Sequence, residues 1–199
     1  NIFNVSNFQK DESILIHGGS SGIGTTAISI LKNYTKNLYV TAGTNQKCKS
    51  CIELGATEAI NYKDLDFEEY FNEKKLKVDV ILDMVGGEYL KKNLKILNFK
   101  GRLTYIAALG GIKGEANLLH IMNKQLKISG STLRSRTPLE KGIIVDQVQK
   151  EIWPLIEDGK YKPTIFETFK MHEVNKAHEV MEKSDHIGKI VLDIKGEQA

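Results

Sequence analysis

Four glycines stand between an apolar run and a helix-like stretch in Ile14-Leu-Ile-His17-Gly18-Gly19-Ser-Ser-Gly22-Ile-Gly24-Thr-Thr-Ala27-Ile28. The spacing Gly19-x-x-Gly22-x-Gly24 suits the binding of a dinucleotide diphosphate. Glycine lets the backbone turn tightly, approach the anion, and pack the next helix against the preceding strand. A helix opening near Gly22 would aim its free N–H groups and its dipole at the phosphates. The pattern carries weight because the strand precedes it and the helix follows it. An ordinary strand-to-helix loop is the structural alternative.

A second group lies at Thr41-Ala-Gly43-Thr44-Asn-Gln-Lys47, at the end of the next apolar run. About 20 residues beyond a glycine turn, NAD-binding chains place an Asp or Glu on the ribose 2′-hydroxyl. No acid occurs from Thr41 to Ile52; Gly43, the Thr44 hydroxyl and the Lys47 cation stand there instead. A 2′-phosphate is a dianion that a carboxylate repels and that a lysine with a hydroxyl attracts. NADP(H) is therefore preferred over NAD(H). Lys47 as a plain solvated lysine in the first turn of a helix is the competing reading.

Further along, Asp83 ends the run Val78-Asp-Val-Ile-Leu-Asp83, followed by Gly86 and Gly87. A strand-end acid here would sit beside the crevice where open parallel sheets bind ligands, or would cap the next helix. Small residues in Ile106-Ala-Ala-Leu109-Gly110-Gly111 suit contact with a flat nicotinamide ring, and turn chemistry explains them equally well. Cys48-Lys-Ser-Cys51 falls within a helical stretch with no second pair and no histidine cluster, so neither zinc nor redox chemistry is assigned to it. No metal site is expected, and no residue stands out as general acid or base. Gly18-x-x-x-Gly22-Ile-Gly24 also fits the short-chain dehydrogenases, but the Tyr70–Lys74 pair comes far too early for their catalytic Tyr-x-x-x-Lys.

These residues need a scaffold, and the chain supplies alternating elements. Candidate strands are 13–17, 38–42, 58–61, 78–83, 101–106 and 127–130. Candidate helices are 22–34, 45–54, 67–74, 89–94, 117–123 and roughly 139–156. In the last, Val145, Val148, Ile152 and Leu155 share one face at helical spacing. Six strands with intervening helices predict a doubly wound parallel sheet with right-handed crossovers. After Pro163 the rhythm changes: a strand at 164–169, a helix at 172–182 with Val174, Ala177 and Met181 inward, and a strand at 189–194. The first five residues read as the end of a helix, so the chain is expected to be the C-terminal part of a longer protein.

With 41% apolar and 27% charged residues the composition is that of an ordinary folded domain. A net charge of +3 on scattered lysines gives no argument for nucleic acid. No apolar run approaches the roughly 18 residues of a membrane span, and no signal-peptide pattern opens the chain. Two cysteines in 199 residues suit a reducing compartment, so the expected location is cytoplasmic.

The chain resembles the medium-chain dehydrogenase/reductase superfamily in its zinc-free quinone oxidoreductase (zeta-crystallin-like) branch. The likeness rests on the glycine turn, Thr41–Lys47, Leu54-Gly-Ala56 with Asn61-Tyr62, Ile81–Gly87, Gly101-Arg102, Leu133–Arg136 and Ile187-Gly-Lys-Ile-Val-Leu192. It implies a Rossmann cofactor domain over 1–162, residues 1–12 being the end of a preceding helix. It also implies that 163–199 complete a GroES-like substrate domain whose first part lies elsewhere. By the same resemblance, Ser21, Gly22 and Ile23 meet the diphosphate and nearby ribose, Thr44 and Lys47 the 2′-phosphate, and Tyr62 the adenosine half. Leu109 and Gly110 lie by the nicotinamide, which the Leu133–Arg136 loop borders; a core-edge Tyr62 and solvated Arg134 and Arg136 are the plain alternatives. A homodimer through the sheet edge at Lys127–Gly130 follows by analogy. The expected activity is NADPH-dependent hydride transfer to a quinone or related conjugated carbonyl. Reduction of an enone or enoyl thioester, and a non-catalytic, crystallin-like NADPH-binding protein, are the alternatives.

Overall fold

The computed structural model describes residues 1–194. Six parallel strands alternate with helices: β1 (Ile14–His17), α1 (Gly22–Leu31), β2 (Leu38–Ala42), α2 (Asn45–Leu54), β3 (Glu58–Asn61), α3 (Phe67–Glu73), β4 (Val78–Asp83), α4 (Tyr89–Ile96), β5 (Leu97–Tyr105), α5 (Leu118–Lys124) and β6 (Lys127–Gly130). Their order across the sheet is β3-β2-β1-β4-β5-β6. The chain winds outward from β1 to β3, then returns to β4 on the other side of β1. The reversal leaves a crevice at the carboxyl ends of β1 and β4, where neither crossover covers the sheet.

Both faces of the sheet are buried, which explains why the central strands are continuously apolar. Ile14, Ile16, Val40, Val80 and Leu82 pack with Ala27, Ile28, Leu31 and Cys51. Leu15, Tyr39, Ile60, Ile81 and Leu103 pack on the opposite face with Phe67, Phe71 and Leu94. The register Leu38–Ile14–Val80 across three neighbouring strands puts the glycine turn at the middle of the sheet's upper edge. Arg102 on β5 ties down the segment ahead of β1, its Nε donating to the Ser6 carbonyl at 2.9 Å and its Nη1 to Glu12 Oε1 at 2.9 Å. Residues 2–5 of that segment form turns, with the Ser6 N–H on the Asn1 carbonyl at 2.9 Å.

Several predicted boundaries shift for local reasons. The fifth strand begins at Leu97 rather than Gly101, because Lys100 takes a left-handed φ of 61° and lets the strand continue through the irregularity. The single helix expected over roughly 139–156 is two helices, α6 (Pro138–Glu151) and α7 (Trp153–Glu157). Pro154 has no N–H for the carbonyl of Lys150, so the first helix stops before it. The apolar face shared by Val145 and Val148 is left uncovered: Val145 is 61% exposed and Val148 43%, and α6 buries no residue. The last helix, α8 (Val174–Lys183), buries Ala177 as expected but leaves Met181 half out in solvent.

After α7 the chain forms β7 (Ile165–Lys170), a turn of 3-10 helix at Met171–Glu173, α8 and β8 (Lys189–Asp193). These two strands pair in parallel as a separate sheet. The small sheet does not join the six-stranded one, in agreement with the change of rhythm after Pro163.

Candidate functional site

The turn after β1 is held from three directions. Gly18 takes φ +75°, the Gly19 N–H donates to the Thr41 carbonyl at 2.8 Å, and the Ser21 N–H donates to the Gly18 carbonyl at 3.0 Å. Ser21 is the N-cap of α1, its Oγ accepting from the Gly24 N–H at 3.0 Å. Gly22 and Ile23 then begin the helix, and their N–H groups have no carbonyl four residues back within it to pair with. Two donors and the positive end of the helix dipole are left facing the crevice. No acid occurs in the first turn of α1 to occupy them. Ile23 is 53% exposed, and with Gly22 it lines a cavity that reaches Ile106 just past the end of β5.

Glycine is required at Gly19 and Gly24 by packing. A Cβ at Gly19 would lie 2.7 Å from Val40 Cβ, and one at Gly24 would lie 2.3 Å from the Gly18 carbonyl oxygen.

The predicted ribose corner also assembles. Thr44 is the N-cap of α2, its Oγ1 accepting from the Lys47 N–H at 3.2 Å. The Tyr62 hydroxyl lies over Gly43, 2.7 Å from where a Cβ would be. The parallel pairing of β2 with β3 delivers Tyr62 there, with the Tyr62 N–H on the Ala42 carbonyl at 3.1 Å. One carboxylate from outside the 41–52 stretch reaches this corner. Asp64 Oδ2 accepts from Asn61 Nδ2 at 2.6 Å, and Asn61 Nδ2 also donates to Asn45 Oδ1 at 3.0 Å. Its charge is thus engaged by the Asn61 side-chain amide at the end of β3.

Residues after Pro163 contribute to the site in a way their sequence pattern did not foretell. The Gly188 N–H donates to the Ser20 carbonyl at 3.0 Å, docking the start of β8 on the glycine turn. A Cβ at Gly22 would lie 3.4 Å from Lys189 Nζ, so a second ammonium stands at the N-terminus of α1. Lys47 Nζ donates to the Ser184 carbonyl at the end of α8. The helical and strand pattern predicted the tail elements, but nothing in their spacing said which residue would face the turn.

At the other end of the crevice, Leu109 and Gly110 form a loop above β4. The Leu109 N–H donates to the Met84 carbonyl at 3.0 Å and the Gly110 N–H to the Val85 carbonyl at 2.8 Å. Leu133 and Arg136 close a turn, the Arg136 N–H on the Leu133 carbonyl at 3.3 Å. An open hollow of about 630 Å³ is lined by Tyr105–Ala108, Gly130–Thr132, Ser135 and Arg136. It shares Ile106, Ser131 and Thr132 with an apolar cavity of about 500 Å³ that reaches Gly22 and Ile23. Of the predicted nicotinamide-side residues, Arg136 lines the first cavity and Leu133 the second, which it shares with Gly22 and Ile23; Leu109 and Gly110 line neither.

Asp83 does neither of the two things its position suggested. It is fully buried; Oδ1 accepts from the Val85 and Gly86 N–H groups at 2.5 and 3.1 Å, and Oδ2 from Asn93 Nδ2 at 2.8 Å. It caps a turn from beneath and faces no cavity, while α4 begins later, after Glu88. Beyond Asn93 lies His17, also fully buried, its ring edge-on to Phe67 and Tyr89 at 4.8 Å each. Burial holds the His17 imidazole below its ordinary value of 6.5, against the opposite pull of the Asp83 charge and the Asn93 hydrogen bond. The unfolded chain therefore takes up a proton near pH 6.5 that the folded one refuses. Stability should fall by up to about 1.4 kcal/mol per pH unit as the pH drops below about 6.5, and level off below the folded value. Urea midpoints that stay constant from pH 7.5 to 5.5 would contradict this.

Cys48 and Cys51 lie on the buried side of α2, and burial pushes the Cys51 thiol up to about 12. Among the described residues no group of three or more His, Cys, Asp or Glu is placed to hold a metal ion, and no helix is long and apolar enough to cross a membrane.

Comparison with known proteins bears on the family and the fold. A family described as zinc-binding dehydrogenase matches residues 54–192. Human quinone oxidoreductase is 32% identical over 186 residues, covering 91% of this chain and 54% of the relative. The crystal structure of Escherichia coli quinone oxidoreductase complexed with NADPH superposes with a TM-score of 0.82 at 25% identity, over 96% of this chain and 60% of that one. JamJ enoyl reductase in its apo form is similar at 25% identity and a TM-score of 0.78, over 96% of this chain and 57% of that one. The chain spans about half the length of the curated relatives it matches.

Proposed function

Since this chain belongs to the zinc-binding dehydrogenase family, we propose that it binds NADP(H) along the crevice and is the cofactor-binding part of an NADPH-dependent oxidoreductase. The acceptor in this reading is a quinone or a related conjugated carbonyl. The observation that carries it is the N-terminus of α1: the Gly22 and Ile23 N–H groups face the crevice, with Lys189 beside them and Lys47 at the neighbouring strand end. The donor set suits a diphosphate, and the Thr44–Lys47 corner, without an acid in its loop, suits a 2′-phosphate.

In this reading Ser21, Gly22 and Ile23 hold the diphosphate and Lys189 neutralises it. Thr44 and Lys47 hold the 2′-phosphate, and Tyr62 lies on the adenosine side over Gly43. Leu109, Gly110, Leu133 and Arg136 border the ring end. NADPH, once bound, supplies the hydride. The protein residues supply orientation and a partly apolar wall, which bring the ring and a flat acceptor together and keep water back. The zinc of the family's description finds no fitting donor set among the described residues, so no step is assigned to a metal.

We extend the proposal to organisation: residues 1–162 as the cofactor domain, 163–199 (195–199 lying outside the described residues) as the end of a substrate domain, and a cytoplasmic enzyme that pairs through β6. β6 is the outer strand of its sheet and is largely exposed, which supports such pairing. The likeness to an enoyl reductase favours a second reading, reduction of an enone or enoyl thioester, since one hydride donor serves any conjugated acceptor.

Calorimetric titration of this chain with NADPH and NADH tests cofactor binding. NADPH should bind about tenfold or more tightly, from charge-assisted contacts of roughly 1.5–3 kcal/mol. Equal affinities would remove the role given to Lys47 and Thr44, and no binding of either would remove the reading. NADPH oxidation by the full-length protein with quinones, enones and enoyl thioesters as acceptors separates the two activities. Tight binding with no acceptor reduced would favour a non-catalytic binding protein.

A further inference from the structure

Beneath the crevice runs a line of four buried polar side chains that touches none of its cavities. Thr41, His17, Asn93 and Asp83 are each at most 1% exposed. They come from β2, β1, α4 and β4, the elements whose ends bound the crevice. The Gly18 N–H reaches Thr41 Oγ1 at 3.4 Å; Thr41 Oγ1 meets His17 Nδ1 at 3.1 Å; His17 Nε2 meets Asn93 Oδ1 at 2.9 Å; Asn93 Nδ2 meets Asp83 Oδ2 at 2.8 Å. The far carboxylate oxygen receives the Val85 and Gly86 N–H groups.

Chemistry fixes the direction of every link. A carboxylate only accepts, so the Asn93 amide nitrogen faces Asp83 and its carbonyl oxygen faces His17. His17 Nε2 must then donate and carry the proton, which leaves Nδ1 an acceptor for the Thr41 hydroxyl. Thr41, its hydroxyl donating to His17 Nδ1, accepts the Gly18 N–H on its oxygen. Each link of the line thus joins a donor to an acceptor, from the Gly18 N–H through to the Asp83 carboxylate.

Three loops end on this line. Thr41 also receives the Gly19 N–H on its own carbonyl at 2.8 Å, and it lies three residues before Thr44. Asp83 sets the Val85–Gly86 turn, and the Val85 carbonyl receives the Gly110 N–H. We propose that Thr41 and His17, the latter held as the neutral Nε2–H tautomer, are positioning residues that set the spacing between the glycine turn and the ribose corner. The proposal rests on the cofactor reading given above. It adds that a ligand spanning both corners depends on the line, whereas one confined to the ribose corner does not.

Two measurements on the 199-residue chain test it. The first is the binding of NADPH, which spans both corners, and of adenosine 2′-monophosphate, which has no 5′-phosphate and fills only the ribose side. Thr41→Val removes the hydroxyl at nearly constant shape, leaving the Gly18 N–H and His17 Nδ1 without partners. It should weaken NADPH about tenfold, as expected for one lost hydrogen bond at the turn, and change adenosine 2′-monophosphate by less than about twofold. Thr41→Ser, which keeps the hydroxyl, should restore NADPH affinity to within about twofold of the parent. A parallel loss of both ligands, or a Ser variant no better than Val, overturns the proposal. The second measurement needs no variant and no ligand: nitrogen-15 shifts of the imidazole at pH 7 should show a protonated Nε2 and a bare Nδ1. A proton on Nδ1 overturns the assignment. If the parent chain binds neither ligand while the tautomer is as stated, the cofactor reading fails and the buried line stands as structure alone.

Discussion

Gly24→Ala should unfold the chain well below the parent's melting temperature and abolish most of its affinity for NADPH. A methyl group there would sit 2.3 Å from the Gly18 carbonyl oxygen and 2.6 Å from both the carbonyl carbon and oxygen of Gly19. These are backbone atoms, so no rotamer change makes room. The turn cannot retreat either, being tied to β2 by the Gly19 N–H on the Thr41 carbonyl. Helix α1 must therefore move off the strand. Overpacking of this kind costs about 3 kcal/mol, which in a chain of this size lowers the melting temperature by roughly 6–12 °C. The same movement carries the Gly22 and Ile23 N–H groups away from the diphosphate. Gly142→Ala is the matched control: Gly142 lies within α6, and a methyl group on it would meet no atom within 4 Å, so alanine should stabilise by up to about 1 kcal/mol. Calorimetric melting and NADPH titration of both variants read the outcome, and a Gly24→Ala protein melting with the parent would show that the turn and helix are less tightly joined than described.

Lys47→Ala should cost about ten- to a hundredfold in NADPH affinity and leave NADH within about twofold. The two cofactors differ only by the 2′-phosphate, so the ratio isolates the contact with that dianion. A charge-assisted hydrogen bond of roughly 1.5–3 kcal/mol corresponds to that range. Stability should hardly change, because the Lys47 hydrogen bond to the Ser184 carbonyl is exposed. The remaining NADPH affinity should fall as salt is raised, as the exposed charge is screened. Equal losses for both nucleotides would mean that Lys47 serves the tail contact and has no part in cofactor choice, leaving the Asp64 carboxylate as the charge that governs this corner.

Residue order alone was enough for the sheet and the turn. Alternation of apolar runs with helical stretches sets strand count and direction, because a run buried on both faces must lie inside a parallel sheet. Four of the six strands lie where the residues place them, at 38–42, 58–61, 78–83 and 127–130. Ser21 is reached through the family resemblance and Thr44 through the missing acid; that both hydroxyls cap their helices is seen only in the folded chain. The composition of residues 41–52 is local, and the proposed preference for NADP(H) rests on it.

Whatever depends on residues far apart in the chain was settled by packing in three dimensions. Lys189 reaches Gly22 only because β8 docks on the glycine turn, and no periodicity encodes a contact between the two ends of the chain. Asp83 carried a motif, but its partners, Asn93 and the 85–86 amides, turned it inward, away from any ligand. His17 looked like one polar residue in an apolar strand; its role emerges when α4 brings Asn93 under β1. The apolar positions of α6 show the same limit from the other side. Spacing can say that Val145 and Val148 share a face, but whether that face is covered depends on what packs against it.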